Sequence, residues 1–383
     1  MFHLVEFGFW FCGLAIPATY LFYPLSIMVL ARVFAKGHVT SDRCPPVTLI
    51  VSAFNEEQVI GEKIQNALEL DYPAGDLEIM VISDGSTDRT DDIVRRYRDR
   101  GVRLCRQDPQ AGKSSSLTRF VPEAKGEIIV FSDANSMYDG QALKNLVRHF
   151  HDPTVGYVVG HQRYLSDEDS AVSVSERSYW DFEVSLKKWE SAFGSVVGGD
   201  GAIYAIRAEL FKPLAKDDIS DFVNPLQIVA QGYRGVFDPE AFCLEAVPSS
   251  YQAEFRRKVR IVNRALRGLV RTRQVLNPFR VGAFAYQVFF HKALRWFVPY
   301  FMIGLMVCTL ALVWQRAQPI HVLALWGQCA FYGLALLRFV PGAGTWKPVY
   351  LAYYFCMANL AALLGTLSYF RGHRFVTWRP ERA

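Results

Sequence analysis

The chain has 383 residues, of which 51% are apolar and 14% aromatic, and its formal net charge at pH 7 is +5. This length allows one large soluble domain together with membrane segments. So modest a charge does not indicate a nucleic-acid-binding protein, and no nucleic acid is expected among its partners.

The N-terminal segment 1–36 predicts a transmembrane helix. No charged residue occurs between Phe7 and Leu30, and about 20 helical residues cross the core of a bilayer. A cleaved signal peptide is the alternative, but the segment lacks a basic stretch before the apolar run and an A-x-A site after it. Arg32 and Lys36 follow directly, so the positive-inside rule places the next domain in the cytoplasm.

Three further apolar runs lie within 293–370, at about 294–314, 320–337 and 349–370, and each is long enough to span a membrane. A multi-pass protein of the plasma membrane is therefore predicted. A cytoplasmic domain followed by three crossings would leave the basic tail 371–383 outside, against the positive-inside rule. Either one segment is re-entrant or interfacial, or the orientation rule fails here.

Between these ends, residues 45–250 predict an α/β domain. The runs VTLIVSAF, LEIMVIS and EIIVFSDA have the length and composition of buried strands, and segments with helical spacing separate them. Such alternation indicates a largely parallel sheet with right-handed crossovers. Residues 251–292 follow as basic amphipathic helices, a pattern typical of a membrane interface.

Three aspartates are the candidate functional residues. Asp84 and Asp133 stand where two predicted strands end, and open α/β sheets bind ligands outside the carboxyl ends of their strands. Asp133 and Asn135 are two residues apart, so both can direct oxygen ligands at one Mg²⁺ or Mn²⁺ ion. Such a cation neutralises a departing diphosphate. Taken alone, DGSTD is equally consistent with a simple turn.

The stretch QAGKSSSL is similar to a nucleotide-binding P-loop. However, Gln107 stands where the Walker pattern requires a glycine, which argues against a nucleotide triphosphatase. Lys113, at the predicted start of a helix, is instead a candidate to bind a phosphate or a structural acid.

Together these segments resemble the family 2 glycosyltransferases, which are inverting enzymes of the GT-A fold. The similarity is greatest to the membrane-embedded branch that includes bacterial hyaluronan, chitin, cellulose and poly-N-acetylglucosamine synthases. The matching stretches, in the family's order, are VTLIVSAFNEE, DGSTD, SDAN, GGDGAIYAIR and ISDFVNPLQIVAQGYR. The resemblance implies a Rossmann-like GT-A domain with a mostly parallel sheet, set between N- and C-terminal transmembrane helices.

The resemblance also assigns roles to residues of the donor site. Ser52, Phe54 and Glu56 would line the nucleotide base, Asp84 would hold the nucleoside, and Asp133 and Asn135 would ligate the metal. Arg257 and Arg260 would contact the diphosphate.

On the acceptor side, Asp221 would be the catalytic base, with Asp217, Asp218 and Asp200 as competing candidates. The stretch Gly199, Asp200 and Gly201 would lie beside the acceptor sugar.

Two positions depart from the family pattern. Asn135 replaces the second acid of the D-x-D motif, and Ile261 fills the tryptophan position of Q-x-x-R-W, where the glutamine is also missing. In the family that tryptophan stacks on the acceptor sugar. We therefore expect short or single additions unless other chains, or copies of this one, complete a channel.

The resemblance implies that the protein transfers a sugar, with inversion, from a nucleotide diphospho-sugar. A UDP-sugar is the first candidate for this donor. The acceptor would be a saccharide in the synthesis of a cell-surface or extracellular polysaccharide. Two alternatives stay open: a non-processive transferase that adds one sugar to a lipid-linked acceptor, and a non-catalytic scaffold of an export system. The lipid bilayer is a predicted partner, and further copies of the chain or other secretion subunits are additional candidates.

Overall fold

The computed structural model describes residues 2–165, 171–246, 251–316 and 318–377. Over these residues, eight strands form one sheet with the spatial order β3-β2-β1-β4-β7-β6-β8-β5. The strands are Val47–Ala53 (β1), Leu77–Ser83 (β2), Val102–Arg106 (β3), Ile128–Asp133 (β4), Met137–Tyr138 (β5), Val155–Leu165 (β6), Tyr204–Arg207 (β7) and Arg234–Ala246 (β8).

The sheet is mixed. Strand β1 pairs in parallel with β2 and β4, and β2 pairs in parallel with β3, as the alternating pattern predicts. Strand β7 is antiparallel to both β4 and β6. Its first residue, Tyr204, pairs with Phe131 near the end of β4. The loop before β7 therefore lies at the carboxyl edge of the parallel strands, beside Asp84 and Asp133.

Helices cover both faces of the sheet. Their bounds are Phe2–Pro17 (α1), Tyr23–Val33 (α2), Ile60–Leu68 (α3), Thr90–Arg95 (α4), Lys113–Phe120 (α5), Ala142–Val147 (α6), Ala171–Phe193 (α7), Ser220–Val229 (α8), Tyr251–Arg271 (α9), Pro278–Val281 (α10), Ala283–Val288 (α11), Leu294–Arg316 (α12), Pro319–Leu336 (α13) and Lys347–Phe370 (α14).

Alternation along β1 divides the core into two layers, because successive side chains of a strand point to opposite faces. Leu49 and Val51 pack with α3 and α6 on one face. Ile50 packs on the other face, in a layer that includes α8 and α9.

Helix α9 is part of the domain core. Its apolar residues Val262, Ala265, Leu266 and Leu269 are all buried there. Helix α14 also packs on α9, since a Cβ at Gly365 would lie 2.8 Å from both the carbonyl oxygen of Val259 and the Cβ of Val262. The apolar face of 251–271 thus packs against the domain and against α14. The expectation of an interfacial helix did not include these contacts.

Within the described residues, four segments are long and apolar enough to cross a membrane: Phe2–Val33, Ala283–Arg316, Pro319–Phe339 and Lys347–Phe370. Helix α1 runs antiparallel to α12, since Gly8 faces Cys308 and Gly304 faces Cys12. These glycines let the two helices approach closely, as small residues do in membrane helix pairs.

Candidate active site

A cavity of about 230 Å³ opens at the carboxyl edge of the parallel strands, between the sheet and α9. Most of the predicted site residues line it: Ser52, Phe54, Asp84, Lys113, Asp133, Asp200, Gly201, Asp221, Arg257 and Arg260. Ile261 lines it too. Segments far apart in sequence therefore meet in one cavity, as their positions at strand ends predict.

Asp84 fixes the loop that leads into α5. Its carboxylate accepts hydrogen bonds from the backbone N–H groups of Ala111 (3.0 Å) and Gly112 (2.8 Å) and from the Ser116 hydroxyl (2.7 Å). Gly112 adopts a φ of +91°, which favours glycine. These bonds place the first residue of α5, Lys113, inside the cavity.

Lys113 and Asp133 form an ion pair at the centre of the cavity. The Lys113 Nζ lies 2.6 Å from Asp133 Oδ1, and both side chains are partly exposed. Lys113 thus contacts the acid that is predicted to ligate the metal, and its contact with a phosphate stays a prediction.

Asp221 lies at the start of α8, and its carboxylate and that of Asp133 both approach Gly201. A Cβ at Gly201 would be 3.4 Å from Asp221 Oδ2 and 3.6 Å from Asp133 Oδ2, so glycine leaves this space open between the two carboxylates. The backbone N–H of Gly199 donates to the Asp221 carbonyl at 2.5 Å. Burial raises the pKa of Asp221, and the nearby Asp200 and Asp133 raise it further. A carboxyl group with a raised pKa is a stronger base once it is ionised.

The competing acids have other partners. Asp217 and Asp218 both pair with Arg271, outside the cavity lining, and Asp218 also accepts the backbone N–H of Ala215 at 2.7 Å. Asp200 lines the cavity, with Oδ2 3.6 Å from Lys187 Nζ. The contacts of Asp217 and Asp218 are structural, and the acceptor role of Asp200 stays a prediction.

Three predicted residues lie next to the cavity without lining it. Glu56 is buried in the loop between β1 and α3, where its N–H donates to Thr90 Oγ1 at 2.8 Å. Gly199 holds Asp221 through its backbone. Asn135 lies in the turn after β4, partly buried. Their proposed contacts with base, acceptor and metal stay predictions.

Sequence reasoning missed Arg264, which lines the cavity one turn beyond Arg260. Its side chain is 7% exposed and one Nη lies 3.3 Å from Ser114 Oγ. The same nitrogen donates to the carbonyl of Asp218, while its buried Nε has no hydrogen-bond partner among the described atoms. Burial lowers the pKa of Arg264 to about 10. The signal in the sequence was that Arg257, Arg260 and Arg264 are spaced to lie on one face of a helix.

Gln162 and Glu245 were also missed, because they come from strands β6 and β8 with no motif around them. Gln162 Nε2 donates to Glu245 Oε2 at 2.5 Å, and the Ser136 hydroxyl donates to the other oxygen. Burial raises the pKa of Glu245 to about 7, with further contributions from Asp133 and Asp200. Together they give the cavity a polar wall that can contact sugar hydroxyls.

Residues 48–213 match the family model described as glycosyl transferase family 2. This part of the chain is thus similar to the family 2 glycosyltransferases. Its relatives include the probable glycosyltransferase YdaM of Bacillus subtilis, 27% identical over 248 residues, which make up 61% of this chain and 58% of that protein. They also include the poly-beta-1,6-N-acetyl-D-glucosamine synthase of Staphylococcus aureus, 24% identical over 59% of this chain and 56% of the relative. The chain thus spans little more than half the length of these relatives.

Among solved structures, the glycosyltransferase domain and its helices are similar to the mannosyltransferase PcManGT from Pyrobaculum calidifontis in complex with GDP-Man and Mn²⁺. The TM-score is 0.69 at 25% identity, over 92% of this chain and 98% of the other. The predicted GT-A fold with N- and C-terminal apolar helices is confirmed.

The glycosyltransferase domain offers oxygen ligands to a divalent cation. Asp133, Asp200, Asp221 and Glu245 all line the cavity, and carboxylate oxygens suit Mg²⁺ and Mn²⁺. Among the described residues, however, no three His, Cys, Asp or Glu side chains are grouped closely enough to hold a metal by themselves. These oxygen ligands therefore fit a cation that is also coordinated by a bound ligand such as a diphosphate. Proteins commonly bind Mg²⁺ in this way.

Proposed function

We propose that the protein transfers a sugar, with inversion, from a nucleotide diphospho-sugar to an acceptor hydroxyl, and that Asp221 is the base. The observation that carries this proposal is the open space at Gly201, which carboxylate oxygens of both Asp221 and Asp133 approach. An acid that can take a proton and the acid of the metal motif thus flank one small space in a cavity that also contains Lys113 and three arginines.

In this reaction each group has a defined task. Asp221 takes the proton of the acceptor hydroxyl, whose oxygen bonds to the anomeric carbon as the bond to the diphosphate oxygen breaks. The leaving diphosphate gains negative charge, which the cations of Lys113, Arg260 and Arg264 stabilise. A divalent ion on Asp133, with Asn135 as a further ligand, would supply Lewis-acid stabilisation of the same group. All three acids of the family pattern are present, which argues against a non-catalytic scaffold.

Two classes of sugar donor are candidates. A UDP-sugar agrees with the resemblance to polysaccharide synthases, while the mannosyltransferase PcManGT is solved with GDP-Man. Purified full-length protein with total membrane lipid and short oligosaccharides as acceptors is the test. Release of nucleoside diphosphate from UDP-GlcNAc, UDP-glucose, UDP-glucuronate and GDP-mannose would be compared. Release from none of them, with or without acceptors, would contradict the proposed function.

Product length separates the polysaccharide acceptor from the lipid-linked one. Ile261 occupies the cavity wall and offers no aromatic face for a sugar to pack on. We therefore expect products of one or a few added sugars from the isolated protein, measured by mass spectrometry. Ile261→Trp should lengthen them. A ladder reaching high polymer from the unmodified protein would show that product retention comes from other residues.

We further propose a membrane topology in which α14 lies at the interface and does not cross. The N–H of Lys36, after α2, donates to Ala192 at 2.8 Å, so the first span ends at the domain. The segment after α14 also returns to the domain: the carbonyl of His373 accepts from Asn263 (3.2 Å) and Arg267 (2.7 Å). The segments α1–α2, α12 and α13 would then be the crossings.

This topology removes the conflict between crossing number and charge. The tail and the loop after α13 lie on the cytoplasmic side, with Arg338, Lys347 and Arg371, as the positive-inside rule requires. In sealed right-side-out vesicles, a membrane-impermeant maleimide should label Gln318→Cys directly and Arg371→Cys only after permeabilisation, each measured above the unmodified chain. Labelling of Arg371→Cys in sealed vesicles would show that α14 crosses.

A further inference from the structure

Glu190 is a fully buried acid at the boundary between the candidate membrane helices and the domain, with 0% of its side chain exposed. One carboxylate oxygen accepts from the hydroxyl of Tyr23, on α2, and lies 2.6 Å from His291 Nδ1. The other accepts the backbone N–H of Val197 at 3.0 Å. One carboxylate thus joins two candidate membrane segments to the loop before β7.

Gln287, in the second of these segments, holds the same loop from the neighbouring turn. Its Nε2 donates to the carbonyls of Ser195 (3.0 Å) and Glu190 (3.2 Å), and its Oε1 accepts the N–H of Ser195 at 3.4 Å. A Cβ at Gly194 would lie 2.5 Å from that Oε1. Glycine at this position therefore allows the amide to sit directly on the backbone.

The segment held in this way continues into the active site without a break. Two residues after Val197, the N–H of Gly199 donates to the carbonyl of Asp221. Two residues further, Gly201 leaves the space between Asp221 and Asp133. The backbone from 195 to 201 is thus fixed at one end by Glu190 and Gln287 and supports the proposed base at the other.

We propose that Glu190 and Gln287 are positioning residues, through which the membrane helices set the loop 194–201 and, with it, the orientation of Asp221 towards the acceptor. The loop's role at the acceptor rests on the proposed function, whereas its attachment to α2 does not. A purely structural network would stabilise the whole protein. A positioning network acts on this loop and on transfer, because a misplacement of about 1 Å at a reacting group can cost roughly 100-fold in rate.

Tyr23→Phe is the variant that separates these two possibilities, because it removes one hydroxyl and keeps the aromatic ring. Tyr286→Phe is the matched control. The Tyr286 hydroxyl also bridges the two segments, because it lies 2.5 Å from Ser26 Oγ, but it does not contact Glu190. Both would be made in the full chain in detergent. Hydrogen exchange of the peptide 194–201 would be measured together with UDP and GDP binding.

For Tyr23→Phe we expect amide exchange at 195–197 to rise about tenfold, which corresponds to about 1.4 kcal/mol, with nucleotide affinity changed less than about twofold. The control should leave that exchange unchanged. Glu190→Gln, which keeps the side-chain shape, should raise exchange further and lower turnover on the active donor. Unchanged exchange at 195–197 in Tyr23→Phe, or an equal rise across the domain, would overturn the proposal. Because exchange needs no donor or acceptor, this outcome is independent of whether transfer is detected.

Discussion

Asp221→Asn is expected to abolish sugar transfer while leaving nucleotide binding nearly unchanged. An amide cannot take the acceptor proton, and removing a general base typically costs on the order of 10²–10⁴-fold in rate. The fold should be retained, because the contact between Gly199 and this residue uses the backbone carbonyl of 221. Nucleoside diphosphate release with acceptor present measures the loss, and UDP and GDP titration measures binding.

The control for this variant is Asp217→Asn. Asp217 is buried and pairs with Arg271, outside the cavity. Its substitution should lower the thermal midpoint and preserve turnover per folded molecule, which is the converse of the effect at Asp221. If Asp221→Asn kept wild-type turnover, the base would have to be sought among the remaining acids of the cavity, with Asp200 first.

The assignment of Asp221 as the base also determines how the transfer activity depends on pH. Burial raises the pKa of Asp221, and Asp200 and Asp133 add to this rise. Protonation inactivates a base, so activity is present above this pKa and is lost as the pH falls through it. The acidic limb should therefore lie above the value of about 3.9 that is usual for an aspartate.

The sequence predicts the elements that follow local rules. Strands β1, β2 and β4 are short apolar runs with turn residues at their ends, so the sequence alone places Asp84 and Asp133 at the carboxyl edge of the sheet. Asp221 followed from the motif resemblance and Lys113 from its place at a predicted helix start, and the structure brings both into the same cavity.

What the sequence could not predict depends on long-range packing. The basic face of α9 has the composition of a membrane-surface helix. Arginines that bind lipid headgroups and arginines that line a cavity have the same spacing, so the sequence does not distinguish them. Only the packing of α9 in the domain core, where Val262 and Leu266 are buried, places Arg264 in the cavity lining. Similarly, Glu190 lies in no motif, and its partners Tyr23 and His291 are 167 and 101 residues away in the chain.

Divalent metal is expected to be required, with transfer lost in EDTA and restored by Mn²⁺ or Mg²⁺. Asp133 and Asn135 provide hard oxygen ligands, but the closest contact of Asp133 is the ammonium group of Lys113, at 2.6 Å. A bound divalent ion contributes several kcal/mol of charge stabilisation to a departing diphosphate. Asp133→Asn should therefore reduce turnover at least as strongly as EDTA does.

Asn135→Asp is the variant that tests the metal ligands directly. Restoring a second acid should lower the Mn²⁺ concentration needed for half-maximal activity, because the added charge strengthens cation binding. Asp139→Asn, a few residues along and outside the cavity lining, should leave that concentration unchanged. Full activity of the unmodified protein in EDTA would contradict a metal requirement. In that case Lys113 and the arginines of α9 would supply the positive charge at the leaving group, and Lys113→Met would become the inactivating substitution.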